Sequence, residues 1–415
     1  MFFRLALKSL LSRKGSVILT ILAISVSVLV MLGVEHIRQQ TRENFSNTVS
    51  GVDLVVGART GSLNLLLYSV FHIGNPTNNI QWHTYEKIAS NPKVDWAVPM
   101  SLGDSHKGYR VLGTTTDYFK HFSYGAKRKL VFASGKPFDD VFDVVLGYEV
   151  AKRLNYQLGD RLVLAHGVAA TSFSKHDDNP FRVSGILEPT GTPVDQTLHV
   201  SLQGIEAIHL NWQQGVNMNR AGRMPKPDQA TLQALTPDNI TAFMLGLKSR
   251  MAVFRVQRDI NNYRAEPLMA ILPGVALSEL WQMMSVLEDT LRFVSALVLL
   301  AALMGLASML IASIRERQPE MTLLRVIGAS PWYLVLLIEL ETLLISLSAC
   351  VLGVVSLFAI LNGFEDMLAS SFGLRISTDL LTLANPILLG LVVGLSLLVT
   401  AFAALMAVLR SRAGR

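Results

Sequence analysis

Ser313-Ile314-Arg315-Glu316-Arg317-Gln318-Pro319-Glu320-Met321-Thr322-Leu323-Leu324-Arg325-Val326-Ile327-Gly328-Ala329-Ser330 is a short charged stretch between two long apolar runs. A segment so placed cannot stay in hydrocarbon, so it emerges at a membrane face, where another protein can grip it. The apolar runs around it decide the rest of the architecture. Ser16–Val34, Phe293–Ile314 and Asn385–Leu409 contain no Asp, Glu, Lys or Arg. At about 1.5 Å of rise per residue, each is long enough to cross about 30 Å of hydrocarbon as a helix. A further run, Tyr333–Leu361, carries Glu339 and Glu341 near its start, but Thr342–Phe364 is uncharged and suffices alone.

Half of the residues are hydrophobic and the mean hydropathy is +0.38, with the excess concentrated in these runs. The stretch between the first and second runs is of mixed composition and long enough to fold around its own core. The fold class that follows is an α-helical membrane protein with four transmembrane helices and a large α+β domain inserted between helices 1 and 2. Its parts are an amphipathic approach helix over 1–15, a first span over 16–34 extending outward to about 47, and an external domain over 48–275. A stalk and second span (276–314), a charged connecting segment (315–332), a third span (333–361), a short external loop (362–384) and a fourth span (385–409) complete the chain. Pro189, Gly191 and Pro193 mark either an ordinary turn or the edge of an inserted sub-domain over 190–250.

Basic residues orient the spans. Arg4, Lys8, Arg13 and Lys14 precede the first, Arg315, Arg317 and Arg325 follow the second, and Arg410, Arg412 and Arg415 follow the fourth. The loop after the third instead carries Glu365, Asp366, Arg375 and Asp379. The positive-inside rule therefore places both termini and the connecting segment in the cytoplasm and the large domain outside. The net charge of +6 is mainly this topology signal. No basic patch with interleaved aromatics indicates nucleic acid. The first apolar run is too long for a signal-peptide core and lacks a small-x-small site, so it reads as a membrane helix.

In the external domain, Asp53–Val56 reads as a strand closed by Gly57, and Thr84–Ala89 as part of a helix. Tyr109–Leu112, Val144–Leu146, Arg161–Leu164, Phe181–Leu187, Val253–Val256 and Leu268–Leu272 are expected strands. Leu63-Asn64-Leu65-Leu66-Leu67-Tyr68-Ser69-Val70-Phe71 is too short to span. It is either a buried element or a surface through which Leu63, Leu66, Leu67, Tyr68 and Phe71 contact a substrate or partner.

Catalytic signatures are missing. No Gly-x-Ser-x-Gly, His-Glu-x-x-His or phosphate-binding Gly-Lys-Ser/Thr loop occurs. The nine histidines all lie outside the spans and lack ligand spacing, so they read as surface or packing residues. Cys350 sits among apolar neighbours, where a thiolate is disfavoured. Ala301/Gly305 and Gly390/Gly394 are small-x-x-x-small pairs that allow helices to approach closely. Glu339 and Glu341 are two apart and cannot share a helix face, so one is expected to point into the bundle and the other to reach the interface.

Taken together, these features resemble the permease family typified by the macrolide exporter MacB and the lipoprotein-release and FtsX permeases. The match lies in Ser313-Ile314-Arg315-Glu316-Arg317 through Glu320 to Leu324–Ser330, with Arg4-Leu5-Ala6-Leu7-Lys8-Ser9-Leu10, Glu339, Glu341 and Ala384-Asn385-Pro386 in support. The resemblance implies a bacterial inner-membrane permease with a periplasmic domain, acting as a homodimer or as a pair of similar chains. It also implies a separate ABC ATP-binding subunit that holds ATP and Mg²⁺, with no cofactor and no hydrolysis in this chain. Arg315, Glu316, Arg317, Glu320, Arg325 and Gly328 would then couple to that subunit, by the mode called mechanotransmission. The implied work is moving or releasing a lipoprotein, peptide or lipid-like substrate, with membrane lipid and a periplasmic lipoprotein or adaptor as further partners. A scaffold that signals to a periplasmic enzyme or sensor kinase shares the same architecture.

Overall fold

The computed structural model describes residues 2–48, 50–166, 179–210, 212–213, 216–217, 228–316, 330–372 and 384–413. The chain divides into two units, one of residues 1–41, 284–366 and 376–415 and the other of residues 42–283 and 367–375.

In the first unit, α1 (Phe2–Ser12) is the expected approach helix. Ala6, Ser9 and Leu10, spaced as one helix face, are buried, while Phe3, Leu7 and Leu11 form a second, exposed apolar stripe. The Arg13 amide donates to the Leu10 carbonyl at 3.2 Å, and a new helix, α2 (Lys14–Asn47), begins at once. Three more long helices come later in the chain, over Pro273–Glu316, Pro331–Phe372 and Ala384–Ala413. Among the described residues, four helices are long and apolar enough to cross a membrane, over Lys14–Glu43, Pro273–Glu316, Val335–Phe364 and Pro386–Met406. Their outward faces carry Ile18, Leu19, Val351, Phe358, Leu398 and Phe402, an apolar surface suited to lipid. The third long helix runs on to Phe372, so much of the loop expected over 362–384 is helical, and 373–383 lies outside the described residues.

The second unit is built on a mixed sheet. Its main strands, in chain order, are β1 (Leu54–Ala58), β2 (Val94–His106), β3 (Tyr109–Thr114), β4 (Phe132–Gly135), β5 (Asp143–Leu146), β6 (Phe181–Leu187), β7 (Thr197–Ser201), β8 (Ala242–Leu247) and β9 (Leu268–Ile271). They are ordered β9-β1-β8-β2-β3-β7-β5-β6-β4 across the sheet. The β7/β3 and β6/β5 pairs are parallel, and the other neighbours on this path are antiparallel. Short strands Arg161–Leu162 and Ala165–His166 lie off the path.

Both faces of the sheet are covered, which explains the near-continuous apolar strands. Leu54, Val56, Phe243 and Leu245 pack on one side with the helices Trp82–Ala89 and Val253–Asn261. Val55, Ala242 and Met244 alternate to the other side, against Leu65, Leu66, Tyr68 and Phe71. Each large apolar side chain so buried contributes about 1.5–3 kcal/mol.

One open alternative is settled and two expectations are corrected here. The segment Ser62–Val70 is a helix folded inward, with Leu66, Tyr68 and Phe71 in the core, Leu67 packed against it and Leu63 half-buried, so these residues do not form a contact surface. Gly57 does not close β1. A Cβ there would lie 2.3 Å from Tyr68 Oη and 2.5 Å from Leu65 Cδ1, so glycine lets the helix lie against a strand that continues to Ala58. Val253–Val256 is the start of a helix, because Val253, Val256 and Ile260 recur with helical spacing and are the residues buried. In addition, β7 and β8, near the two ends of the stretch 190–250, are interior members of the large sheet, so the stretch does not start and stop at the edges of an inserted sub-domain.

Two histidines are buried in this unit. His199, fully buried, packs against Tyr118 and Phe119 with ring centroids 5.3 and 5.7 Å away. Neither of its ring nitrogens makes a well-formed hydrogen bond, and the Val145 backbone offers only minor compensation. Burial, and secondarily His72, pulls His199 down to about 3. Burial, and secondarily Arg110, pulls His72 down to about 4. Both values lie below the unfolded value near 6.5, so the unfolded chain binds more protons between about pH 6.5 and pH 4. Stability is therefore expected to be full above about pH 6.5 and to fall as the pH drops through that window, by roughly 1.4 kcal/mol per unit for each histidine. Unfolding midpoints of the full-length chain measured across this range should show the slope, and His199→Leu should reduce it. An unchanged slope in that variant would show that His199 does not titrate with unfolding.

Candidate functional site

The charged segment expected to contact an ATP-binding subunit is flanked by helices. Arg315 and Glu316 are exposed at the C-terminal end of Pro273–Glu316. On the far side, Ser330 caps Pro331–Phe372: the Tyr333 amide donates to the Ser330 carbonyl at 3.0 Å and to Ser330 Oγ at 3.3 Å. Pro331 then occupies the first helical position, where its missing N–H costs nothing. Arg317, Glu320, Arg325 and Gly328 lie outside the described residues.

Glu339 and Glu341 are brought into one arrangement. Glu341 is 2% exposed, accepts a 2.5 Å hydrogen bond from Ser9 Oγ and lies 3.5 Å from the Arg13 guanidinium. Arg13 also donates to Ser9 Oγ at 3.3 Å, so the end of α1, the corner at Arg13 and the helix Pro331–Phe372 form one polar clamp. Glu339 projects from a different face of the same helix, as a two-residue offset requires. It is half-buried and accepts from Thr400 Oγ1 at 3.1 and 3.2 Å. The expectation that one carboxylate would reach the interface is thereby corrected, because each is tied to a neighbouring segment. Opposite faces of one helix thus grip the approach helix and the last span.

A second polar network, unforeseen in the sequence, joins the first two spans. Glu35 accepts from Arg38 at 2.5 and 3.1 Å and from Arg292 at 3.2 Å, while Arg38 reaches Glu288 at 3.4 Å. The i,i+3 spacing of Glu35 and Arg38 was a visible signal, whereas their meeting with Glu288 and Arg292 needed the helices in place. Lower in the bundle, Ser27 Oγ lies 3.4 Å from the Val298 carbonyl oxygen.

The closest helix approach was also missed. A Cβ on Gly353 would meet Val28 Cγ1 at 2.8 Å and the Ser25 carbonyl oxygen at 2.9 Å, and one on Gly33 would touch Leu357 at 3.4 Å. By contrast, no heavy atom of the described residues lies within 4 Å of the corresponding point on Gly305, Gly390 or Gly394, so these glycines of the pairs singled out by spacing face no close neighbour there.

Among the described residues, no group of three or more His, Cys, Asp or Glu side chains could hold a metal ion. The polar contacts tie these segments to one another, since a satisfied buried polar network rigidifies the parts it joins.

Four apolar helices, one before and three after a mixed α/β domain, with a charged stretch of sequence between the second and third, give the architecture of a multi-pass membrane protein with one large inserted domain. Residues 17–263 match the MacB-like periplasmic core domain and residues 292–414 the FtsX-like permease C-terminal domain, so the chain belongs to the MacB/FtsX-type permease family. Comparison with curated proteins gives no match. Among solved structures, the periplasmic region of MacB from Actinobacillus actinomycetemcomitans is similar at 12% identity and a TM-score of 0.34, over 56% of this chain and 94% of that one. The extracellular domain of the noncanonic ABC-type transporter YknZ from Gram-positive bacteria is similar at 12% identity and a TM-score of 0.30, over 53% of this chain and 98% of that one.

Proposed function

We propose that this permease couples ATP hydrolysis by a separate cytoplasmic ATP-binding subunit to movement of its periplasmic domain, thereby moving or releasing an envelope substrate of lipoprotein, peptide or lipid-like character. Both termini and the segment 315–332 face the cytoplasm, two permease copies pair, and ATP with Mg²⁺ is held by the partner subunit. The observation that carries the reading is the clamp at Glu341. A push on the segment between Glu316 and Ser330 reaches the helix Pro331–Phe372, and that helix is bonded to α1 through Ser9 and Arg13 and to the last span through Thr400. On the other side, the segment continues into one unbroken helix reaching back to Pro273. The energy source lies outside the chain, since its sequence has no phosphate-binding loop.

Charge reversal tests the docking. When Glu316→Lys/Glu320→Lys is co-expressed with the cognate ATP-binding subunit, recovery of that subunit on the purified permease is expected to fall about ten-fold or more, as like charges replace complementary ones. Stimulated hydrolysis should fall with it, and the permease alone in nanodiscs should hydrolyse no ATP. Undiminished recovery and stimulation would reject the coupling role of this segment.

A further inference from the structure

A cavity of about 510 Å³ in the second unit is lined by Lys107, Arg110 and Arg153, and no Asp or Glu among the described residues lines it. Arg153 is exposed and has no hydrogen-bonded or ion-paired partner among the described residues. Arg110 is half-buried and its guanidinium is oriented by the loop beneath it, with Nη2 donating to the Gly74 carbonyl at 2.6 Å and to Asn75 Oδ1 at 3.1 Å. Lys107 is steadied by Tyr156, whose hydroxyl lies 3.2 Å and whose ring centroid lies 5.2 Å from the ammonium. Three cations lining one cavity, with no counter-charge there among the described residues, repel one another, which leaves a site that an anion would stabilise.

Backbone conformation adds an independent observation. Two of the cavity-lining residues, His72 at φ 56° and Lys107 at φ 48°, adopt left-handed conformations that glycine or asparagine takes at lower cost. Lys107-Gly108 forms the two-residue turn between the paired residues His106 and Tyr109, where a Gly or Asn would serve the backbone better. His72 stands just past the helix Ser62–Val70, at the position where glycine usually ends a helix, with the Ile73 amide closing back on the Leu67 carbonyl at 3.0 Å. Residues kept in such conformations point to a use for their side chains.

The chemistry of His72 follows from its one hydrogen bond. Thr197 Oγ1 gives its proton to the Pro193 carbonyl at 2.8 Å, so at 2.8 Å from His72 Nδ1 it acts as acceptor and Nδ1 carries the hydrogen. Nε2 is then a bare acceptor on a ring that is 8% exposed, and it has no partner among the described residues. The apolar part of the lining is Phe71, Ile73, which is 56% exposed, and Pro193.

We propose that this cavity binds a phosphate monoester carried on a short apolar body, with Lys107, Arg110 and Arg153 on the phosphate oxygens, His72 Nε2 accepting from the phosphate hydroxyl, and Phe71 and Ile73 against the apolar part. A monoester carries a charge of about −1.5 to −2 near neutrality, matching three cations better than a single carboxylate does, and guanidinium groups suit its planar pairs of oxygens. Its second pKa of about 6 leaves a fraction with the hydroxyl that His72 requires. The site would take its ligand with or without an ATPase attached.

Calorimetric titration of the full-length chain in nonionic detergent, with no nucleotide or ATP-binding subunit present, tests the site apart from the coupling mechanism. Hexyl phosphate stands for the lipid-borne group, inorganic phosphate for the free anion and 1-hexanol for the apolar body alone. Hexyl phosphate is expected to bind at least about ten-fold more tightly than inorganic phosphate, and 1-hexanol not to bind measurably. Arg110→Gln should weaken hexyl phosphate about ten-fold. Arg153→Gln, at an exposed residue whose loss leaves the fold intact, should weaken it several-fold and lower its salt sensitivity. Equal affinities for hexyl phosphate and inorganic phosphate, binding of 1-hexanol at the same site, or no loss in Arg153→Gln would overturn the assignment.

Discussion

Glu341→Ala is expected to destabilise the helix bundle by about 3 kcal/mol, since removing one partner of a mostly buried ion pair strands the other in a low-dielectric setting. The substitution removes the acceptor for Ser9 Oγ and the charge facing Arg13 together, so the approach helix α1 loses its polar attachment to the helix Pro331–Phe372. Glu341→Gln keeps an acceptor for Ser9 while losing the charge, and should cost roughly half as much. Thermal unfolding of the two variants in detergent would rank them. The functional readout is sharper. If α1 and the coupling segment move together, Glu341→Ala should also abolish stimulation of the ATP-binding subunit while still allowing it to bind. Full stimulation in a folded Glu341→Ala variant would show that the clamp is structural only.

Gly353→Leu is expected to push the first and third spans apart. The Cβ alone would lie 2.8 Å from Val28 Cγ1 and 2.9 Å from the Ser25 carbonyl oxygen, and neither a helix backbone nor a β-branched side chain can yield without a shift of the whole helix. Overpacking of this kind costs about 1–3 kcal/mol, and the upper end applies where backbone is the obstacle. Gly394→Leu is the matched control, because no heavy atom of the described residues lies within 4 Å of its Cβ position. Unfolding of the Gly353 variant at a clearly lower temperature, with Gly394→Leu close to the parent, is the expected outcome. Equal effects would mean that the close approach of these spans does not hold the bundle together. A loss of pairing between permease copies in Gly394→Leu alone would place the fourth span at that contact.

Much of the external domain was legible strand by strand, and the exceptions are instructive. Leu268–Ile271 was readable as the unbroken apolar run that a strand covered on both faces needs, and Phe181–Leu187 by the alternation of buried Phe181, Val183, Gly185 and Leu187 with more exposed residues. Val253–Val256 misled because four residues do not separate a period of two from one of 3.6, and Ile260, further along, decides in favour of a helix. Leu63–Phe71 was ambiguous for a different reason. An apolar helix face looks the same whether it meets a partner protein or its own sheet, and what settles the matter is Gly57, whose missing side chain makes room for Tyr68 and Leu65.

What the sequence by itself determined is the division between lipid and water: four uncharged runs, the charged segment between the second and third, and basic residues at their ends. Those features follow from the cost of placing charge in hydrocarbon, a local property that each stretch carries regardless of its neighbours. Which residues meet across the bundle was decided only by tertiary structure. Ser9, Arg13 and Glu341 are far apart in the chain, as are Glu339 and Thr400 or Glu35 and Arg292, and no local pattern encodes those pairings. In the same way, Gly353 matters through the helix facing it, while Gly390 and Gly394, with the more recognisable spacing, face no close atom among the described residues. Helix formation and membrane insertion are governed by short-range propensity and transfer energy, whereas contacts between helices depend on the relative rotation and height of elements that packing alone fixes.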